Sequence, residues 1–143
     1  CSNNPLTSLD VSNNTALTGL DCADNQITNL NVSTNTSLTG LGCSHNQLTT
    51  LDVSGATALG QLECYDNQLG SLDVSNNTAL TGLNCFSNQL TTLDVRNGNN
   101  QNFSQFLSWN NPNLNCINVD DANWSTANWT EIDPQHYFSE QCP

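Results

Sequence analysis

Cysteine is the residue type in this sequence with the widest chemical repertoire, and most of its copies share one spacing. Cys1, Cys22, Cys43, Cys64 and Cys85 follow one another at intervals of 21 residues. Tetrahedral metal sites use ligands a few residues apart, commonly with His, whereas regular stacking would place these sulfurs in a straight row. Side chains stacked about 4.8 Å apart also fit disulfide geometry poorly. We therefore expect an inward row of thiols that pack as small apolar groups, with no metal and no cofactor.

The remaining two cysteines behave differently. In the segment 114–119 the inward positions are Leu114, Ile117 and Val119, which leaves Cys116 facing outward. Cys142 is the only other cysteine outside the row, so we predict a Cys116–Cys142 disulfide that holds the C-terminal tail. Closing this loop would stabilise the fold by roughly 3–4 kcal/mol. A disulfide also favours an oxidising compartment.

Catalytic motifs are not found. No nucleophile elbow, Cys-x-x-Cys, His-Glu-x-x-His or phosphate-binding glycine loop occurs in the sequence. The only histidines, His45 and His136, have no nucleophile at a motif spacing. Carboxylates on a flat repeat surface would also lack the desolvated cleft that catalysis prefers. We therefore expect a protein that is not an enzyme.

Charge excludes two classes of partner. The net charge is −12, and Arg96 is the single residue among Lys and Arg. Nucleic-acid binding requires basic groups for the phosphates, and anionic membrane surfaces attract the same groups. No apolar run approaches the ~20 residues of a membrane span. The sequence thus predicts neither nucleic-acid binding nor membrane insertion.

A repeat of 21 residues organises most of the chain. Repeats start at residues 6, 27, 48, 69 and 90, after an N-terminal half-repeat at 1–5. Each consists of an 11-residue half, L-x-x-L-x-V-x-x-N-x-x, and a 10-residue half, L-x-x-L-x-C-x-x-N-x. This period and spacing are typical of leucine-rich repeats. We assign 1–102 to the repeats and 103–143 to a degenerate repeat and C-terminal cap.

Each half-repeat predicts one short strand. Leu9 and Val11 in one half, and Leu20 and Cys22 in the other, alternate with outward residues. The predicted fold is a β-rich leucine-rich-repeat solenoid with two short strands per coil and parallel in-register sheets. The amides after the L-x-C strands should bond the backbone of the bend and of the next coil; these are Asn25, Asn46, Asn67 and Asn88. A second set, Asn14, Asn35 and Asn77, has a gap at Ala56.

The nested repeat resembles the IRREKO class of bacterial leucine-rich repeats. Three sequence segments are similar to those of secreted Bacteroidota proteins. They are the repeat segment L-D-V-S-N-N-T-A-L-T-G-L-x-C and the tail segments N-P-N-L-N-C-I-N-V-D-D and S-T-A-N-W-T-E-I-D. The resemblance covers essentially the whole chain. It implies a bacterial protein that is secreted or held at the cell surface, and a role in adhesion or binding.

Variation between repeats indicates where a ligand could bind. Two outward columns beside the L-x-C strands differ from copy to copy, as do the outward residues of the strands themselves. From these we select seven candidate binding residues: Asp21, His45, Glu63, Tyr65, Asp66, Asn84 and Phe86. Exposed aromatics beside acids suit a glycan or a protein, and we expect this sheet to be concave. Neutral variation on a solvated face is the alternative.

The other strands present uniform rows instead. One row is Asp10, Asn31, Asp52, Asp73 and Asp94, whose like charges would be hydrated or bridged by cations. Another consists of Thr15, Thr36, Thr57 and Thr78. These rows leave two other functions open: a structural surface or fibre segment without a specific ligand and, third, ice binding through the threonines. Gly60 and Gly70 interrupt two Thr columns, which weakens the third.

The two ends of the repeat array lead to separate expectations. From Phe103 onward the pattern degrades, with Ser108 in place of a row cysteine and Asn111 retaining the amide. We interpret the aromatics of this segment as a cap over the core rather than a ligand cradle; they are Trp109, Trp124, Trp129, Tyr137 and Phe138. At the other end, the half-repeat exposes strand edges, so we expect self-association through residues 1–20 that grows with salt, unless a natural N-terminal segment covers them.

Overall fold

The chain winds into a parallel β-solenoid, in a computed structural model that describes residues 1–143. Short strands alternate with turns. In chain order they are β1 (Leu9–Asp10), β2 (Gly19–Asp21), β3 (Leu30–Asn31), β4 (Gly40–Gly42), β5 (Gln61–Glu63), β6 (Ser71–Asp73), β7 (Gly82–Asn84), β8 (Thr92–Asp94), β9 (Gln105–Leu107), β10 (Cys116–Asn118) and β11 (Tyr137–Ser139). A 3-10 helix (Asn100–Asn102) and α1 (Ala122–Asn128) complete the elements, and neither helix is long and apolar enough to cross a membrane. The predicted solenoid class is confirmed.

The L-x-C strands form one continuous five-stranded sheet, which we call the L-x-C sheet. Its order is β2-β4-β5-β7-β9, and all its neighbours are parallel. The central leucines pair across it in register, Leu20 with Leu41, then Leu62 and Leu83, and the last pairs with Phe106. One structural column therefore contains one sequence column of the repeat.

The second sheet is divided. β1 and β3 form one part, which a single bridge from Asn31 extends to Asp52, and β6, β8, β10 and β11 form the other. A Cβ on Gly55 would lie 2.4 Å from the Ser33 carbonyl oxygen, so the third coil approaches the second unusually closely at this turn. Ala56 also lacks the amide that holds neighbouring coils together at this column. We attribute the division to the sequence Ser54-Gly55-Ala56.

Alternation along the strands separates the core from the surface. The inward Leu, Ile and Val residues of the repeats are largely buried, and Cys22, Cys43, Cys64 and Cys85 are free thiols with no exposed area. Burial raises the pKa of Cys22 to about 11 and that of Cys85 to about 12, so these thiols stay protonated and unreactive at neutral pH. Cys1 departs from the predicted inward row of buried thiols, because it is exposed.

The predicted disulfide is confirmed. Cys116 and Cys142 are bonded, with their Cα atoms 5.8 Å apart. Ile117 and Val119 face the core beside them with no exposed area, whereas Cys116 faces partly outward. The disulfide links the C-terminal tail covalently to β10.

Asparagine amides bond each L-x-C bend to its neighbours. The Asn67 Nδ2 donates to the Cys64 and Tyr65 carbonyls of its own coil at 3.2 and 3.3 Å, and to the Cys43 carbonyl of the preceding coil at 3.0 Å. Its Oδ1 accepts from the Leu48 N–H at 3.0 Å. Asn25, Asn46, Asn88 and Asn111 make the same kinds of bonds. We call these five residues the Asn ladder.

An aromatic cluster closes the C-terminal end of the core. Trp129 is 5% exposed and stacks on Phe106 with a 4.1 Å centroid separation, while Phe138 lies edge-on to it. Trp124 on α1 contacts Trp129 from the side, and the Asp121 carboxylate caps the helix by accepting from the Trp124 N–H at 2.9 Å. This confirms the predicted aromatic cap.

Two of the aromatics assigned to the cap do not belong to it. Trp109 is 38% exposed and Tyr137 is 50% exposed, and neither ring contacts this cluster. Tyr137 lies on β11, where its side chain alternates with the buried Phe138. Trp109 follows β9 on the surface of the L-x-C sheet, where it contributes to the row of rings described below.

Replacing a ladder amide should destabilise the fold strongly. In Asn67→Ala, the backbone groups that bond this side chain lose their partners inside the protein, so we expect the free energy of unfolding to fall by about 3 kcal/mol. Urea unfolding followed by circular dichroism measures the change. The exposed Asn76 makes no such bonds, so Asn76→Ala should stay within about 0.5 kcal/mol of the parent chain. Equal effects of the two substitutions would contradict the role of the ladder.

Candidate functional site

A repeated left-handed residue positions the variable columns of the L-x-C sheet. The residue before each ladder amide has a positive φ, between 52° and 57°, at Asp24, His45, Asp66, Ser87 and Asn110. Asn and Asp tolerate this conformation better than most residues. Since every coil turns at the same position, the residue one step earlier projects in the same direction each time. These earlier residues are Ala23, Ser44, Tyr65, Phe86 and Trp109.

Three rings of this column stack on one another. The centroids of Tyr65 and Phe86 are 4.4 Å apart with planes 11° from parallel, and those of Phe86 and Trp109 are 4.4 Å apart at 8°. His45 lies perpendicular to Tyr65 with a centroid separation of 5.1 Å. We call Tyr65, Phe86 and Trp109 the aromatic row. The rings cover one another's faces, except the outer face of Trp109, which contacts no further ring; because all three remain partly exposed, the row presents ring edges and this one face to solvent.

Acidic groups lie at the Tyr65 end of the aromatic row. The Asp66 carboxylate lies 3.4 Å from the Nδ1 atom of His45, and both side chains are exposed. Glu63 on β5 and Asp21 on β2 are also exposed, on the outward side of the same sheet. The only guanidinium belongs to Arg96, which follows β8 in the other sheet. It pairs with Asp94, the last residue of that strand. The surface at this end of the row therefore carries negative charge without a Lys or Arg side chain.

The structure brings together Tyr65, Phe86, His45 and Asp66 among the seven candidate residues, with Glu63 on the adjoining strand. Asp21 lies at the far edge of the sheet. Asn84 is different, because it is only 8% exposed. Its amide Nδ2 is 3.4 Å from the Gln105 Oε1 of the next coil, so little of this side chain is available to a partner.

Trp109 is the member of the aromatic row that the sequence interpretation missed. Its coil has two additional residues, since 23 residues separate Asn88 from Asn111 whereas 21 separate Asn67 from Asn88. Alignment on the ladder amide, rather than at a fixed shift, places Trp109 in the column of Tyr65 and Phe86. The retained Asn111 was the signal that could have identified it.

The acidic row of the other sheet is engaged in local hydrogen bonds. In the acidic row each side-chain Oδ1 accepts from the N–H two residues later, at 2.8–3.1 Å. Hydrogen bonds from the Ser12 and Ser54 side chains, and after them those from the N–H groups of the same residues, lower the pKa of Asp10 and Asp52 respectively. Outside the Thr row, the hydroxyls of Thr39 and Thr81 donate to backbone carbonyls of the preceding coil. We interpret both patterns as part of the scaffold.

The second histidine, His136, is held in its neutral form by its surroundings. Its Nδ1 accepts from the Asp133 N–H at 3.3 Å, and its Nε2 lies 3.4 Å from the Asn111 carbonyl. Burial lowers the pKa of His136, although the Asn111 carbonyl and the Asp133 charge oppose the shift. Burial of Asp133 acts to raise its pKa, but the N–H groups of Asn110 and Asn111 outweigh burial and the pKa is lowered.

The histidine gives the C-terminal end a defined pH dependence. A lowered pKa in the folded state means that the unfolded chain binds a proton first, so stability should decline as the pH falls below 6.5, the ordinary value. Unfolding experiments between pH 7.5 and 5 should show this decline, and His136→Asn should reduce it. The exposed His45 provides the control, since His45→Asn should retain the decline. A pH profile that is the same in His136→Asn would contradict the assignment.

Similarity to solved structures agrees with this architecture. The functional domain of InlJ from Listeria monocytogenes, described as including a cysteine ladder, is 31% identical to this chain with a TM-score of 0.75. The match covers 96% of this chain and 32% of the InlJ domain. The internalin InlF, also from L. monocytogenes, is 22% identical with a TM-score of 0.64, over 93% of this chain and 37% of its own. No family model and no curated protein matches.

The chain spans about a third of the length of either Listeria protein. The comparisons do not test the resemblance to Bacteroidota proteins, which stays a prediction. The repeat, the in-register sheets and the two structural similarities lead to one conclusion: the chain has the leucine-rich-repeat solenoid fold found in Listeria internalins.

Proposed function

We propose that this chain is part of a non-enzymatic binding module that recognises a protein through the aromatic row. The observation that carries the proposal is the stack of three partly exposed rings on a surface otherwise made of small polar and acidic residues. Tyrosine and tryptophan are enriched among the residues that contribute most to protein interfaces. Their position in one column also makes the row rigid, which reduces the entropy lost on binding.

Ring geometry favours a protein over a glycan, although the sequence was compatible with both. A sugar packs against the open face of an aromatic ring. Both faces of Phe86 are covered by neighbouring rings, and Tyr65 lies between Phe86 and His45. The ring edges and the outer face of Trp109 are left for contact, and the edges suit apolar side chains that fit beside them.

The charge of this surface indicates the kind of protein that would bind it. The acids near the row are Glu63 and Asp66, and the whole chain carries a net charge of −12. A complementary partner presents basic residues around an apolar centre. Such complementarity accelerates association, and the rate then falls as salt screens the charges.

An extracellular location agrees with the proposed binding function. The Cys116–Cys142 disulfide is of the kind that persists in oxidising compartments. Similarity to the functional domain of InlJ, which also includes a cysteine ladder, adds support for a bacterial surface module of this repeat type. We therefore place the chain outside the cell, as a secreted or surface-held protein.

The test is a binding screen of the whole chain against arrayed extracellular proteins and glycans. For the protein that binds most tightly, the double variant Tyr65→Ala/Phe86→Ala should weaken the affinity about 30-fold or more. Tyr137→Ala removes an exposed aromatic outside the row and serves as the matched control, which should bind normally.

Three outcomes would contradict the proposal. Equal binding by the double variant and the parent chain would remove the aromatic row as the site. Binding to glycans alone would replace the protein partner with a carbohydrate. No binding to either array would favour the structural alternative, in which the solenoid serves as a surface or fibre segment.

A further inference from the structure

The last strand of the L-x-C sheet has an open outer edge. β9 pairs with β7 on one side and with no strand on the other. The Leu107 carbonyl accepts from the Cys85 N–H at 2.9 Å, so the backbone groups of Leu107 face β7. Since successive residues of a strand direct these groups to opposite edges, the N–H and C=O of Phe106 face outward.

The coil that follows covers this edge only at one end. The Ser108 N–H, which also faces outward, donates to the Glu131 carbonyl at 3.1 Å. No comparable bond reaches Phe106 from the segment that leaves α1. Its outward N–H and C=O are therefore one donor and one acceptor with the spacing that an added strand requires.

A groove of about 300 Å³ runs beside this edge, between β9 and the end of α1. Its walls include the half-buried rings of Phe103 and Trp124, and Phe106 and Trp129 also line it. Glu131 is the one charged residue among its lining residues, and it is exposed. The groove thus combines unpaired backbone groups on a residue that is 5% exposed, aromatic walls and a negative charge.

We propose that the β9 groove binds an extended, non-acidic peptide segment of a partner protein, which adds to the L-x-C sheet as a sixth strand. The backbone of the segment pairs with the N–H and C=O of Phe106. An apolar side chain of the segment lies against Phe103 and Trp124, and a basic side chain faces Glu131. This site is separate from the aromatic row, so it does not rest on the function proposed above.

Peptide binding to the whole chain tests the proposal. The probe is a set of acetylated, amidated hexapeptides in which Val, Leu or Tyr alternates with Thr or Lys. We expect the best peptide to bind with a Kd on the order of 100 µM, as two backbone bonds and one apolar contact allow. On binding, hydrogen exchange of the Phe106 amide should slow about tenfold or more, whereas that of Leu107 should change little.

Methylation of the peptide backbone separates strand addition from simple apolar contact. A methyl group on the nitrogen that donates to the Phe106 carbonyl should weaken binding about tenfold or more. Methylation of an adjacent nitrogen, which faces away from β9, should have little effect. Trp124→Ala should also weaken binding, whereas Tyr65→Ala/Phe86→Ala should not.

Three results would overturn the proposal. The first is hydrogen exchange of the Phe106 amide that is as slow as that of the Leu107 amide in the free chain. The others are no binding by any peptide at about 1 mM, and equal affinities of the two methylated peptides. Dimerisation of the chain alone that protects the Phe106 amide would identify a second copy as the occupant instead.

Discussion

The Asn ladder is the interaction on which the rest of this structure depends. A solenoid of short strands has many bends, and each bend leaves backbone groups that must find partners away from water. One amide per coil bonds two carbonyls of its own bend, a carbonyl of the preceding coil, and the N–H of the residue that opens its own repeat, one turn back along the solenoid. The same side chain therefore shapes the coil and sets its register against the next.

Register then determines the surface. When every coil turns at the same left-handed residue, one sequence column becomes one straight line of side chains. Aromatic residues in three successive coils must stack under that condition, as Tyr65, Phe86 and Trp109 do. Stacking makes the row rigid but covers its faces, except at the outer side of Trp109, and this favours contact through ring edges. The proposed binding mode is thus a consequence of the repeat geometry.

The sequence predicted the features that depend on regular spacing. The two strands of most coils, the inward columns and the outward Cys116 follow from alternation and period. Features that depend on a departure from the period were not predicted. Trp109 was missed because its coil is two residues longer, and the coverage of Asn84 depends on Gln105 in the next coil. The division of the second sheet depends on the close approach at Gly55, which spacing alone does not reveal.

The most direct test of this account is the chemical shift of the Phe86 ring protons in Asn88→Ala. Phe86 lies between two parallel rings, so in the parent chain its protons should be shifted strongly upfield by ring currents. If the ladder sets the register of the aromatic row, loss of the Asn88 amide should move these resonances toward ordinary phenylalanine values while the chain remains folded. Unchanged Phe86 shifts in the folded variant would contradict the claim that the Asn ladder positions the row.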